Sequence, residues 1–252
     1  MRNLLIDIET SPHNVYTFGL WNANISIDKI IEPTSMLSFA AKWRGEKKVE
    51  FYSVFHHGRE AMVKNIWELL NEADAVTTYN GKKFDQKHWN REIALAGLTP
   101  PSPYKHIDLY QTVKKQFMFA SNKLDWALRQ FGLNQKVKHT GFDLWVRCLE
   151  GDPKAWALMR RYNKGDVTTL EELLDRLLPW ITNYPNQNLF TEGDAIVCPT
   201  CGSPEFVVRE GYALLVTGKY QRYTCKAERG GCGAWFQETR RVSGSEVRGM
   251  AS

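Results

Sequence analysis

Asn3-Leu4-Leu5-Ile6-Asp7-Ile8-Glu9-Thr10, near the start of the chain, holds a Leu- and Ile-rich run over Asn3–Ile8 and two acids, Asp7 and Glu9, at its end. A short apolar run of this kind reads as a β-strand. Residues two apart on a strand share a face, which puts Asp7 and Glu9 on one side and Leu4, Ile6 and Ile8 on the other. Two carboxylates about 6–7 Å apart along the backbone repel each other and are costly to desolvate. A divalent cation between them removes that cost, and a ligand set of oxygens alone suits Mg²⁺ or Mn²⁺. On this pair alone, two solvated acids at a strand end are the competing reading.

Downstream, Met36–Trp43 and Val49–Phe55 read as two more strands around a polar turn at Gly45. Arg59–Glu72 has helical spacing, with Ala61, Met62, Ile66, Leu69 and Leu70 on one side. Asp74–Tyr79 reads as a strand, and Phe84–Ala96 as a helix stopped by Gly97, Pro100 and Pro101. Ile107–Tyr110 is a short strand, and Asn122–Phe131 a helix closed by Gly132. Lys154–Ile181 carries the longest helical pattern, in which Gly165 is expected to bend or weaken the helix. Three strands followed by alternating helix and strand imply an α/β fold with a mixed sheet flanked by helices. Thr182–Glu192, polar and rich in Asn, reads as a linker. The expected organisation is one domain over residues 1–185, a small second domain over 193–241 and a flexible tail over 242–252.

Two further segments carry acids of interest. Asn80-Gly81-Lys82-Lys83-Phe84-Asp85 turns a strand into a helix and leaves Asp85 in the first helical turn. An acid there also simply favours the helix dipole. Lys82 and Lys83 suit a solvated turn or phosphate contacts. In Tyr162-Asn163-Lys164-Gly165-Asp166, the tyrosine and the aspartate are four apart and share a helix face. An amphipathic surface helix is the plainer alternative for that segment alone.

In this order, Asp7-x-Glu9, Asn80-x4-Asp85 and Tyr162-x3-Asp166 resemble the three exonuclease motifs of the DEDD superfamily, 3′–5′ exonucleases on an RNase H-like fold. The tyrosine four before the last aspartate resembles the tyrosine branch, which includes proofreading domains of DNA polymerases. The histidine branch would need a histidine where Arg161 stands. The resemblance covers about residues 1–181. It implies phosphodiester hydrolysis with two Mg²⁺ or Mn²⁺ ions. Asp7 would bridge both ions, Glu9 and Asp166 would complete one shell, and Asp85 would hold the other ion. Tyr162 would orient the attacking water, and Thr10 would contact the terminal nucleotide. The product would be a nucleoside 5′-monophosphate. Asp108 reads as a helix N-cap or as a support at the edge of the site, and stands outside this set.

The chain has 252 residues, of which 43% are apolar and 24% charged, which suits a globular protein and excludes wholesale disorder. No apolar run approaches the roughly 18–20 residues of a membrane span. The start Met-Arg-Asn-Leu-Leu-Ile-Asp-Ile-Glu lacks the pattern of a secretory signal, so a cytoplasmic, reducing location is expected. Net charge is +5, and the eight basic and three acidic residues between Lys105 and Arg147 account for that surplus. Lys123, Lys136 and Lys138, near loops in this segment, join Asn80, Lys82 and Lys83 as candidate nucleic-acid contacts. The interleaved Phe117, Trp126 and Trp145 are more readily explained as helix packing.

Cys198, Cys201, Cys225 and Cys232 cluster in the last quarter of the chain. In a reducing compartment four such thiols read as a structural Zn²⁺ site. The strands expected are Val207-Val208, Tyr220–Thr224 and Ala234–Glu238, and the segment resembles a zinc ribbon. The spacing of its second pair departs from the usual tight turn, and Gly230-Gly231 would allow a longer knuckle. The expected partner is nucleic acid, single-stranded DNA first, with RNA as the alternative for an enzyme. A binding protein without turnover is the alternative from another class. The length leaves no room for a polymerase region, which makes a polymerase or recombination protein a candidate partner. No membrane partner is expected.

Overall fold

β1 (Asn3–Thr10) is the middle strand of a five-stranded sheet ordered β5-β4-β1-β6-β7. The computed structural model describes residues 1–19, 21, 24–134, 141–193 and 195–246. The chain divides into two compact units, Arg2–Leu173, and Leu174–Ser252 together with Met1. After β1 come the short hairpin strands β2 (Asn14–Val15) and β3 (Ile30–Glu32), then β4 (Met36–Trp43) and β5 (Glu50–Ser53). There follow α1 (Val54–His57), α2 (Arg59–Glu72), β6 (Ala75–Thr78), α3 (Asp85–Leu95), β7 (Lys105–Asp108) and α4 (Leu109–Gln116). The first unit ends with α5 (Leu124–Gln130), α6 (Asp143–Leu149) and most of α7 (Pro153–Leu177).

β4 and β5 run antiparallel to their neighbours, whereas β6 and β7 run parallel to β1. This is the mixed α/β sheet expected from the order of elements. Its two faces are distinguished by sequence alternation. Leu4, Ile6 and Ile8 of β1, with Phe39 and Ala41 of β4, pack under Met62, Ile66 and Leu70 of α2 and Trp89 and Ile93 of α3. Fully burying one such aliphatic side chain contributes roughly 1.5–3 kcal/mol, so this face anchors β1 firmly. A second apolar cluster joins Leu37 to Leu144 of α6 and to Trp156, Met159 and Tyr162 of α7.

The structure departs from the expected elements at several points. β7 spans Lys105–Asp108 rather than Ile107–Tyr110, because the Asp108 side chain accepts from Tyr110 N–H at 3.1 Å and starts α4 there. α4 and α6 are helices that periodicity did not reveal, each being eight residues or fewer. Gly165 does not interrupt α7, which runs unbroken through it. A glycine there costs about 1 kcal/mol relative to alanine, less than the burial of Tyr162, Val167 and Leu170 around it returns.

In the second unit, β8 (Val207–Leu215), β9 (Gly218–Cys225) and β10 (Trp235–Gly244) form an antiparallel sheet ordered β10-β9-β8. All three strands are longer than expected. β10 continues through Val242 to Gly244, into the stretch read as tail. Among the described residues, no helix is long and apolar enough to cross a membrane.

Candidate active site

Asp7 and Glu9 stand on the face of β1 opposite the apolar anchor, directly across from Ala40 and Ser38 of β4. These small, fully buried partners leave the space above them to α7. That helix brings Tyr162, Asn163 and Asp166 to the same place, all three buried. Asp7, Glu9 and Asp166 each offer a carboxylate oxygen, and these atoms lie within 4.8 Å of one another. The donor set is all oxygen, which suits a hard divalent cation. Tyr162 hydrogen-bonds Asp166, and burial, with Asp166, Glu9 and Asp7 nearby, raises its phenol pKa well above the ordinary value. It therefore stays protonated and acts as a donor.

Asp85 lies beside this cluster without belonging to it. It is 5% exposed, and its Oδ1 accepts from Ile8 N–H at 3.3 Å. Burial pushes its pKa up to about 7, opposed by backbone donors and reinforced by Asp108. The turn that delivers it has a specific construction. Asp108 Oδ1 accepts from Asn80 N–H at 2.7 Å, and its Oδ2 from Lys82 N–H at 3.4 Å. Asn80 takes a left-handed φ of 64°. A Cβ on Gly81 would collide with the Thr78 side chain, so glycine is required at that position. His106 braces the same corner: its Nε2 meets Thr78 Oγ1 at 2.8 Å and its Nδ1 meets Gln86 Oε1 at 3.1 Å. Burial lowers its pKa to about 4, which keeps it neutral. Sequence reading left Asp108 between a helix cap and a support at the site edge, and gave His106 and Asn163 no role. The proximity of Asp108 to a strand end was the one available signal.

The Asp85 shift has a definite pH signature. A carboxyl with an ordinary pKa of 3.8 unfolded and about 7 folded holds its proton more tightly in the folded state. Its contribution is greatest at low pH and is lost as pH rises from about 4 to about 7. The metal-free chain is thus expected to melt progressively lower across that window, and Asp85→Asn to flatten the slope. A pH series of thermal melts in EDTA checks this; an unchanged slope in the variant refutes it.

Thr10 is half-buried at the end of β1, and Lys82 and Lys83 are exposed on the turn. Asn80 and Lys123 line one cleft of about 420 Å³, together with Tyr79, Tyr110 and Asn122. Lys136 and Lys138 lie outside the described residues. Phe117, Phe119 and Phe131, which follow the ends of α4 and α5, pack on one another with centroids 5.3–5.6 Å apart.

A family model of the RNase_H superfamily matches residues 4–178, spanning the sheet, the three carboxylates and α7 up to its end. The chain belongs to the RNase_H superfamily. Among solved structures, it is similar to the family B DNA polymerase from the hyperthermophilic archaeon Pyrobaculum calidifontis. The identity is 17% and the TM-score 0.55, over 71% of this chain and 24% of the polymerase. It is also similar to RNase D of Trypanosoma brucei, with 14% identity and a TM-score of 0.44, over 72% of this chain and 58% of that one. The chain therefore spans about a quarter of the polymerase and a little over half of the RNase D. The polymerase likeness is one of fold. No curated protein matches the chain.

Beyond the RNase_H region, Cys198, Cys201, Cys225 and Cys232 bring four sulfurs within 4.8 Å of one another. Cys198 and Cys232 Sγ are 3.6 Å apart, and Cys201 and Cys225 Sγ 3.7 Å. A zinc tetrahedron with arms of about 2.3 Å has edges close to 3.8 Å, so the spacing fits that ion. The long second knuckle is built from a 3₁₀ turn at Ala227–Arg229 and the left-handed Gly230. A Cβ on Gly231 would stand 2.6 Å from Cys225 Sγ and 2.8 Å from Lys226 O, so that position also requires glycine.

Proposed function

We propose that this RNase_H superfamily protein is a metal-dependent 3′–5′ exonuclease of the tyrosine branch of the DEDD enzymes, with a zinc ribbon over residues 193–241. Single-stranded DNA is the proposed substrate and nucleoside 5′-monophosphates the proposed products. The observation that carries this reading is the meeting of Asp7, Glu9 and Asp166 oxygens within 4.8 Å, with Tyr162 hydrogen-bonded to Asp166. Three buried or half-buried carboxylates at such separation repel one another unless a cation or a proton lies between them.

Asp7, Glu9 and Asp166, with Asp85 beside them, would hold two Mg²⁺ or Mn²⁺ ions. Such ions supply Lewis acidity at the phosphoryl oxygens and lower the pKa of water. The residues of the chain do the rest. Tyr162, held protonated by burial and its acidic neighbours with its proton on Asp166, accepts a hydrogen bond from the attacking water and so aims it. Thr10 receives the 3′-terminal nucleotide at the end of β1. Asn80 and Lys123, which share a cleft, hold the preceding phosphates, with Lys82 and Lys83 at its approach. Cys198, Cys201, Cys225 and Cys232 hold one structural Zn²⁺.

Degradation of 5′-labelled and 3′-labelled strands, DNA and RNA, tests this reading. A descending ladder from the 5′-labelled DNA in Mg²⁺ or Mn²⁺, abolished by EDTA, is the expected result. A preference for RNA would move the substrate to ribonucleic acid. Fragments from internal cuts only, loss of the 5′ label as a mononucleotide, or no cleavage with either metal would refute the 3′–5′ exonuclease.

A further inference from the structure

We propose that Asn163 is a positioning residue for the Asp7 carboxylate, an inference that rests on the metal-dependent reading above. Its side chain is fully buried and joins three elements of the RNase_H unit. Nδ2 donates to Asp7 Oδ2 at 2.8 Å and to the Asp7 main-chain oxygen at 3.2 Å. Oδ1 accepts from Ser38 Oγ at 3.2 Å. The orientation of the amide follows from these partners. Both Asp7 oxygens only accept, so the nitrogen must face them and the oxygen must face the hydroxyl. Ser38 is itself fully buried and stands across from Glu9 on the β1–β4 ladder. The chain Ser38–Asn163–Asp7 thus ties α7, bearer of Tyr162 and Asp166, to the strand that bears Asp7 and Glu9.

An amide suits this position for electrostatic reasons. A hydrogen-bond donor favours the ionised form of a carboxylate. A lysine there would also bring a positive charge and compete with a cation. A second acid would add repulsion to three carboxylates already within 4.8 Å of one another. The amide does neither, and by gripping both a side-chain and a main-chain oxygen of one residue it fixes the carboxylate relative to the strand. Groups that orient a metal's direct ligands typically cost 10–100-fold in metal affinity or activity when removed.

Mn²⁺ titration of the full chain without nucleic acid, read by the spin resonance of free Mn²⁺, tests the role. Asn163→Ala is expected to weaken Mn²⁺ binding by about 10–100-fold with the fold intact by circular dichroism. Ser38→Ala is expected to weaken it less. It should add nothing in the Asn163→Ala background, since Ser38 acts only through the amide. Wild-type affinity in both single variants overturns the proposal, and so does simple additivity in the double. Should Asn163→Ala fail to fold, Ser38→Ala decides alone, and wild-type affinity in it overturns the proposal. If the unaltered chain binds Mn²⁺ no better than Asp7→Ala, the metal-dependent reading falls and this inference with it. A chain that binds Mn²⁺, responds to both substitutions and cleaves nothing supports the positioning role while refuting the nuclease.

Discussion

Asp166→Asn is expected to reduce strand cleavage on the order of a thousandfold and, in the same protein, to raise the melting temperature of the metal-free chain. Asp166 is 2% exposed and lies within 4.8 Å of Asp7 and Glu9 through its carboxylate oxygens. As the metal ligand proposed above, it would serve the reacting phosphate. Charge stabilisation by bound metal is worth several kcal/mol, and each 1.4 kcal/mol is about tenfold in rate. Without metal the same carboxylate is a liability, because it is buried against two like charges. Asparagine keeps its shape and leaves an amide oxygen to accept from Tyr162, so packing is preserved while one charge is removed. Cleavage assays in Mn²⁺, paired with thermal melts in EDTA at pH 8, read both effects. Activity within tenfold of the unaltered chain would show that these acids do not hold the catalytic ion. A lower melting temperature would show that Asp166 is a structural carboxylate rather than one held for function. The opposed signs matter, since a merely disruptive substitution lowers both quantities.

The acidic cluster was legible because strand alternation and helical spacing state the direction of its residues. Asp7 and Glu9 face away from Leu4, Ile6 and Ile8 in the structure, as period-two alternation requires. Tyr162 and Asp166 share a helix face for the same kind of reason. Arg59–Glu72 was legible to the residue because its apolar stripe is long and regular. Other features were not open to local reading. Asn163 reaches Asp7 across 156 residues of chain, and Asp108 reaches Asn80 across 28. Only the sheet order brings those partners together, and no periodicity encodes a contact between a helix and a strand half a chain away. α6 is seven residues long, too short for a periodic signal to rise above composition. The collisions awaiting a side chain at Gly81 and Gly231 are likewise tertiary. From sequence both are ordinary turn glycines.

Withdrawal of zinc is expected to unfold the sheet of β8, β9 and β10 outright. Its apolar interior among the described residues amounts to little more than Ala234, Phe206, Val207 and Phe236 gathered around the four cysteines. Leu214, Val216 and Trp235 are largely exposed. A unit with so small a core cannot offset the ordering of its chain without a cross-link. Structural zinc supplies roughly 10–16 kcal/mol of apparent binding energy in small folds of this kind at neutral pH. Four thiols that crowd to sulfur separations of 3.6 and 3.7 Å hold together as thiolates only around a cation. Burial, with Cys198 and Cys201 alongside, pushes the Cys225 thiol up to about 11. The full chain should therefore carry one zinc, and Cys198→Ser should lose it. In amide spectra the resonances of β9 and β10 should collapse to random-coil positions, while those of β1 and α2 persist. Gly231→Ala should loosen the metal without removing a ligand, since its new Cβ would press on Cys225 Sγ at 2.6 Å. Dispersed β9 and β10 resonances in the zinc-free chain would mean that the ribbon folds on its strands alone, with the cysteines as incidental core residues. Collapse confined to the knuckles, with the strands intact, would make the metal a local clasp. Only loss of the whole sheet fits a module whose folding energy is the energy of binding its ion.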